Sequence, residues 1–193
     1  MATKLAGGVK GVDHIAYVTW NPAETIHFYR DVLGFPLVHC ILAPGWGNEP
    51  HPDFAHFFFH VGADAKMAWF YYFGQEKYED PNVTNLLKKA RHLALLVDTA
   101  EELEHYKKRL EDAGYPIRHG VPVAHEMIES IYVYDPNGYN LEFSRVLRPI
   151  TEADTADTEL SIEALIEVSQ QPEPSLAKVW ARKGELLLAQ EGA

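Results

Sequence analysis

The sequence predicts an α+β chain of two β-α-β-β-β modules followed by a helical tail. Three observations carry this. First, the chain repeats itself after about 80 residues: Asp13-His14-Ile15-Ala16-Tyr17-Val18 is answered by Arg91-His92-Leu93-Ala94-Leu95-Leu96, and Leu33-Gly34-Phe35-Pro36 by Ala113-Gly114-Tyr115-Pro116. Second, each copy runs from an alternating apolar stretch into a helical stripe closed by glycine, then into further strands. Third, the composition changes after Pro149, where apolar positions fall at helical spacing.

The first module spans residues 9–74. Gly11 to Thr19 is an apolar, β-branched run and reads as a strand. Asn21-Pro22 opens a helix, with asparagine as cap and proline at the first helical position. Ala23 to Leu33 continues it along a stripe of Ile26, Tyr29, Val32 and Leu33, and Gly34 ends it. Strands follow at Phe35–Leu42, Phe54–Val61 and Lys66–Phe73, with a Pro/Gly-rich loop at 43–52 and a turn at Gly62–Ala65. Gly74 to Lys89 reads as a polar connector.

The second module spans residues 90–148. It reads as strand 91–98, helix 100–113 closed by Gly114, strand 115–121, strand 127–134, the turn Asp135-Pro136-Asn137-Gly138 and strand 139–147. In that turn proline fixes φ, and Asn-Gly is expected to supply positive φ. Each helix crosses between strands of one sheet, which covers one face with helices and leaves the other concave. Residues 149–193 form the last region. Thr151 to Glu159 reads as a mobile link or cap. Leu160–Ser169 and Ser175–Gln190 read as helices whose apolar positions need cover, from the domain or from a second subunit.

Composition narrows the function. A formal net charge of −11 disfavours nucleic acid and anionic membrane surfaces as partners. Cys40 is the only cysteine, which suits a reducing compartment, and no apolar run approaches the roughly 20 residues of a membrane span. A cytoplasmic location is expected.

The last strand carries the chemistry. In Tyr139-Asn140-Leu141-Glu142-Phe143-Ser144 the odd positions are apolar and the even ones polar, so Glu142 faces away from the helices. His14 and His92 occupy equivalent places in the two opening strands. If the concave faces meet, His14, His92 and Glu142 converge from three strands on a divalent ion and leave coordination positions open. Fe(II), Mn(II) and Zn(II) suit such a donor set. Trp20, Trp46, Phe57, Phe59 and the run Trp69 to Phe73 supply enough aromatic surface to fill a core and line a cavity for a flat substrate.

The motifs VDHIAY, FYRDVLGF, RHLALLV and DPNGYNLEF, over roughly residues 9–148, resemble the vicinal oxygen chelate superfamily, which holds glyoxalase I, extradiol dioxygenases, fosfomycin-resistance enzymes and bleomycin-binding proteins. The resemblance implies paired modules forming a half-open barrel around a metal, with His14, His92 and Glu142 as its ligands. Aligning the two hairpins sets Phe70 or Tyr71 opposite Glu142, neither of which replaces a carboxylate, so a three-ligand site is implied rather than the four-ligand site of glyoxalase I. Tyr132, ten residues before Glu142, matches the active-site tyrosine of both extradiol dioxygenases and fosfomycin-modifying enzymes. Val123 stands where those enzymes place a histidine before that tyrosine, and His125, His119 or His56 is the candidate proton shuttle.

The leading expectation is therefore an Fe(II)-dependent extradiol-type dioxygenase that chelates a small catechol-like substrate beside O2. Two alternatives stand: a metal-dependent isomerase, epimerase, lyase or glyoxalase-like enzyme, and a drug-binding protein without catalysis. The family resemblance also implies a homodimer.

Overall fold

In a computed structural model, residues 11–45, 51–77, 85–119, 122–124 and 127–191 are described. His125 and Trp46 lie outside the described residues. The chain divides into two compact units, 1–146 and 147–193.

The first unit holds two four-stranded mixed sheets of the same topology. β1 (His14–Val18), β2 (Leu37–Ala43), β3 (Phe54–His60) and β4 (Lys66–Tyr72) assemble in the order β1-β4-β3-β2. β5 (His92–Leu96), β6 (Val123–Ala124), β7 (Ile128–Tyr134) and β8 (Asn140–Val146) repeat it as β5-β8-β7-β6. β1 runs parallel to β4, and β5 parallel to β8, so each opening strand forms an edge of its sheet. The registers match as well: His14 faces Lys66 and Ala16 faces Ala68, as His92 faces Asn140 and Ala94 faces Glu142. Ala68, rather than Phe70 or Tyr71, is therefore the first-module counterpart of Glu142. A methyl group is no ligand, so the reading of three ligands is unaffected.

The crossover helix of the first module starts as α1 (Pro22–Ile26), with the Asn21 side chain accepting from the Glu24 N–H. It continues as a π-helical turn, His27–Val32, which ends with Leu33 N–H donating to the Phe28 carbonyl. The widened turn belongs to the stretch that buries Phe28, Tyr29, Val32 and Leu33. Gly34 takes φ +79°, the left-handed conformation that stops the helix. In the second module α3 (Ala100–Asp112) begins at a capping box formed by Thr99 and Glu102.

One core serves both modules. Phe57, Phe59, Met67 and Trp69 from the first sheet and Leu95, Ile131, Val133, Leu141 and Phe143 from the second share it with Phe28, Tyr29, Leu103 and Leu110 from the helices. Each large apolar side chain removed from water contributes roughly 1.5–3 kcal/mol. Polar groups cross the same seam. The Tyr29 hydroxyl donates to Asp135 Oδ2 at 3.1 Å, Asn137 Nδ2 donates to Thr25 Oγ1 at 3.0 Å, and Arg109 Nε donates to the Val32 carbonyl at 2.7 Å. The helix-bearing faces of the two sheets thus meet within one chain, and the two concave faces point outward.

Four expectations are corrected. The polar connector contains a short helix, α2 (Asn85–Ala90). The strand expected at 115–121 does not form among the described residues. Pro116 has no N–H for a ladder, and the segment joins β7 through a single bond from Arg118 N–H to the Tyr132 carbonyl, 2.9 Å. In the 135–138 turn only Gly138 takes positive φ (+88°), while Asp135 accepts from the backbone N–H groups of Asn137 and Tyr139. Lastly, the segment expected as a link or cap, Thr151 to Glu159, is helical from Glu152 onward, with Thr151 as the N-cap.

The second unit is a hairpin of α4 (Glu152–Ser169) and α5 (Leu176–Glu191). Thr151 and Asp154 form a capping box, which is why helix rather than link follows Pro149. Hydrogen bonds from Arg148 and then from Thr151 push the Asp154 carboxyl well below the usual range. Ion pairs from Arg182 to Glu167 and from Lys183 to Asp157 staple the two helices. Among the described residues no helix is long and apolar enough to cross a membrane.

Candidate metal and substrate site

Strand alternation sets the concave face of the second sheet. His92, Asn140, Glu142, Ser130, Tyr132 and Tyr134 share it, because paired residues in register lie on one face. Glu142 is only 3% exposed, a carboxylate buried among polar partners. Its Oε2 lies 3.0 Å from His92 Nε2, and Ser130 Oγ donates to its Oε1 at 2.5 Å. His92 Nδ1 lies 2.9 Å from the Ala90 carbonyl, which fixes the tautomer and leaves Nε2 as the inward-facing nitrogen.

Tyr132 stands directly across from Glu142 on β7, on the same face of the sheet. Burial, with the Glu142 charge next, pushes this phenol above its ordinary value, so it stays protonated and able to donate. His119 lies beside it, ring centroids 6.2 Å apart, and His92 is equally close. The Arg118 guanidinium lies 5.8 Å from the Tyr132 ring centroid.

The first sheet presents the matching half. His14 Nδ1 bonds Asp13 Oδ1 at 2.7 Å, and Asp13 Oδ2 accepts from Lys66 Nζ at 3.1 Å. Beside His14 lie His56 and Phe58, with ring centroids at 6.3 and 5.7 Å. His56 is buried, stacks on Phe70 at 3.7 Å and bonds the Trp69 carbonyl through Nδ1; burial pushes its pKa down, so it is neutral at pH 7. Phe58 is the register counterpart of Tyr132. His39 packs on Phe58 (5.5 Å) as His119 packs on Tyr132, so the two copies differ mainly in chemistry. His60 is tied to the turn, its Nε2 2.7 Å from the Ala63 carbonyl.

The structure therefore brings His92, Glu142, Tyr132 and His119 together on one face and His14 with His56 on the other. Among the described residues no three of His, Cys, Asp and Glu stand close enough to hold a metal ion. The physical reason is the packing above: parity determines which face a residue occupies, but not which faces meet. The donors still fit a divalent ion in chemistry. An imidazole nitrogen and a carboxylate oxygen lie in contact, each already held from behind, and His14 is held the same way by Asp13. Sequence reasoning missed three contributors, namely Asp13, Ser130 and Arg118. Each adjoins or shares parity with a residue that was identified, and that adjacency was the available signal.

Two sheets of this topology, a shared helical core, and a His-Glu-Tyr constellation on an open concave face define a vicinal oxygen chelate protein. The model of the Glyoxalase/Bleomycin resistance protein/Dioxygenase superfamily matches residues 11–143, and the chain belongs to that superfamily. An iron-dependent extradiol dioxygenase of Rhodococcus jostii (strain RHA1) is 24% identical over 153 residues, 72% of this chain and 44% of that protein. The chain thus spans less than half the length of that relative. Among solved structures, a glyoxalase/dioxygenase from Nostoc punctiforme is 19% identical, covers 77% of this chain and 99% of its own, and superposes with a TM-score of 0.55. A glyoxylase/bleomycin resistance protein/dioxygenase domain from Frankia sp. EAN1pec is 16% identical, with coverages of 72% and 98% and a TM-score of 0.53. At these identities the two structures share the fold.

Proposed function

We propose that the chain is a metal-dependent enzyme of the extradiol-dioxygenase type, acting on a small catechol-like substrate. The observation that carries this reading is the buried Glu142 carboxylate, in contact with His92 Nε2 and with Tyr132 as its register partner on the same face. The likeness to an iron-dependent extradiol dioxygenase supports Fe(II) over Mn(II) or Zn(II).

His92 and Glu142 supply two ligands and His14 the third. Because His14 lies on the other sheet, we place the complete site between two copies of the chain. β1 and β5 are both sheet edges, and each carries one of the histidines. Setting β1 of one copy beside β5 of another would continue one sheet into the next, cover both edges and bring His14 to the partner's half-site. The interface is self-complementary, so one two-fold axis would complete two sites. A bound divalent ion would lower the pKa of a substrate hydroxyl and so favour the chelating form.

This chain's own residues do the rest. Tyr132 donates to the substrate oxygen nearest Glu142. His119, exposed beside Tyr132, moves the proton. His56, Phe58 and Phe70 give a flat wall for an aromatic ring on the sheet that brings His14.

The test is metal analysis of protein purified without chelators, followed by oxygen uptake on a catechol panel after anaerobic Fe(II) loading. Stoichiometric uptake that disappears in Glu142→Ala supports the reading. Metal binding with no oxygen uptake, but anaerobic turnover of a vicinal-oxygen substrate, would replace ring cleavage by isomerase or lyase chemistry. Val123, at the histidine position of ring-cleaving enzymes, makes that the relevant alternative.

A further inference from the structure

The chain has seven arginines and a formal net charge of −11, so carboxylates are in excess. Arg30, Arg145, Arg148 and Arg182 each pair with one. Arg109 is committed to the backbone carbonyls of Asp31 and Val32. Arg91 is exposed and pairs with no carboxylate among the described residues. Arg118 is different. It is half-buried, and among the described residues it pairs with no carboxylate, although it stands beside the candidate site.

Its position is fixed from three directions. The backbone N–H of Arg118 donates to the Tyr132 carbonyl at 2.9 Å, which holds the segment against β7. Nη1 donates to Asn140 Oδ1 at 3.0 Å, and Asn140 is the register partner of His92. The guanidinium carbon lies 4.9 Å from the Tyr134 ring centroid and 5.8 Å from that of Tyr132. A guanidinium has five N–H donors in a planar fork. One is used, and the others meet no acceptor among the described residues. The Glu142 carboxylate is instead held by His92 and Ser130.

We propose that Arg118 recognises a carboxylate carried by the substrate, which makes the preferred substrate an aromatic vicinal diol with an anionic side chain. This rests on reading the concave face of the second sheet as the substrate site. The fork geometry suits a planar carboxylate, and the aromatic rings against which the guanidinium lies keep it pre-oriented and partly desolvated. A diol chelated next to His92 and Glu142 would reach Arg118 through a substituent, with Asn140 between the two recognition points.

The test is equilibrium binding by anaerobic calorimetry to the full-length Fe(II)-loaded protein. The probes are 3,4-dihydroxyphenylacetate, phenylacetate and their methyl esters, measured with wild type, Arg118→Met and Arg118→Lys. Wild type should bind each free acid about 10- to 100-fold more tightly than its ester, the range of a charge-assisted hydrogen-bonded pair. Arg118→Met should abolish that preference without weakening the esters, and Arg118→Lys should keep part of it. Equal binding of acid and ester by wild type overturns the inference, as does binding of none of the probes, or a preference that survives in Arg118→Met. Should Arg118→Met fail to fold, the wild-type comparison and Arg118→Lys decide alone. The phenylacetate pair separates this inference from the proposed function. An Arg118-dependent preference for phenylacetate, with no gain from the two hydroxyls and no oxygen uptake, would keep the anion site and discard catechol cleavage.

Discussion

At the scale of single residues, the two histidines of the proposed site are held by different hands. His92 gives its Nδ1 side to a backbone carbonyl, whereas His14 gives it to the Asp13 carboxylate. Asp13 is itself anchored to Lys66, and both hydrogen bonds hold its carboxyl below its ordinary pKa. A carboxylate behind an imidazole fixes the ring and strengthens Nε2 as a donor. Asp13→Ala is expected to weaken metal affinity about 10- to 100-fold, the usual cost of losing such a partner, read by competition with a chromophoric chelator. The same variant should shift the His14 tautomer signals in 15N NMR while leaving those of His92 unchanged. Unaltered tautomer and affinity would reduce Asp13 to a surface charge. Asp13 was readable beside His14 in the sequence, but its role depends on a rotamer that no spacing encodes.

At the scale of elements, the seam between the modules makes two checkable demands. Asp135 starts the last hairpin and is buried with Tyr29, Asn137 and the Tyr139 N–H around it. Burial raises its carboxyl above the usual value despite those bonds, and burial, with the Asp135 charge next, keeps Tyr29 protonated. A carboxyl whose folded pKa is raised contributes stability that is present below its unfolded value, near ~3.9, and is lost as pH rises through the folded value. The stability difference between wild type and Asp135→Asn should therefore move in favour of the variant between pH 4 and pH 7. Denaturant midpoints at several pH values measure it, and a difference independent of pH would contradict this assignment. The other demand falls on α3. Thr99→Ala removes the side-chain half of the capping box and should cost about 1 kcal/mol, seen as a lower urea midpoint with an unchanged slope. Most strands and both crossover helices were legible because period-two and 3.6-residue patterns are local. The 115–121 segment was not, since Pro116 and a single bond to β7 decide it. Thr151–Glu159 was misread because acidic, threonine-rich composition resembles a linker, and only the Thr151–Asp154 reciprocity reveals a helix start.

At the scale of the whole molecule, alternation in the sequence assigned His14, His92 and Glu142 to concave faces, but could not say that one chain would turn those faces apart. The helix-bearing faces carry Trp69 and Phe143, which share a single core with Phe28 and Tyr29 of the first crossover helix. A site shared between copies then has a consequence that an intrachain site lacks. His14→Ala and Glu142→Ala chains should each bind metal poorly alone. Co-expressed, they can pair so that the intact His14 of the Glu142→Ala chain meets the intact His92 and Glu142 of the His14→Ala chain. Random pairing makes half the dimers mixed, each with one complete site of two, so about a quarter of the wild-type metal content should return. Purifying the mixed dimer through two different affinity tags should raise this to about half. Metal content that stays at the level of the single variants in a verified mixed dimer would mean that no site spans the two copies. Loss of the dimer itself at all concentrations would remove the edge-to-edge arrangement of β1 and β5 and with it the proposed route by which His14 completes the site.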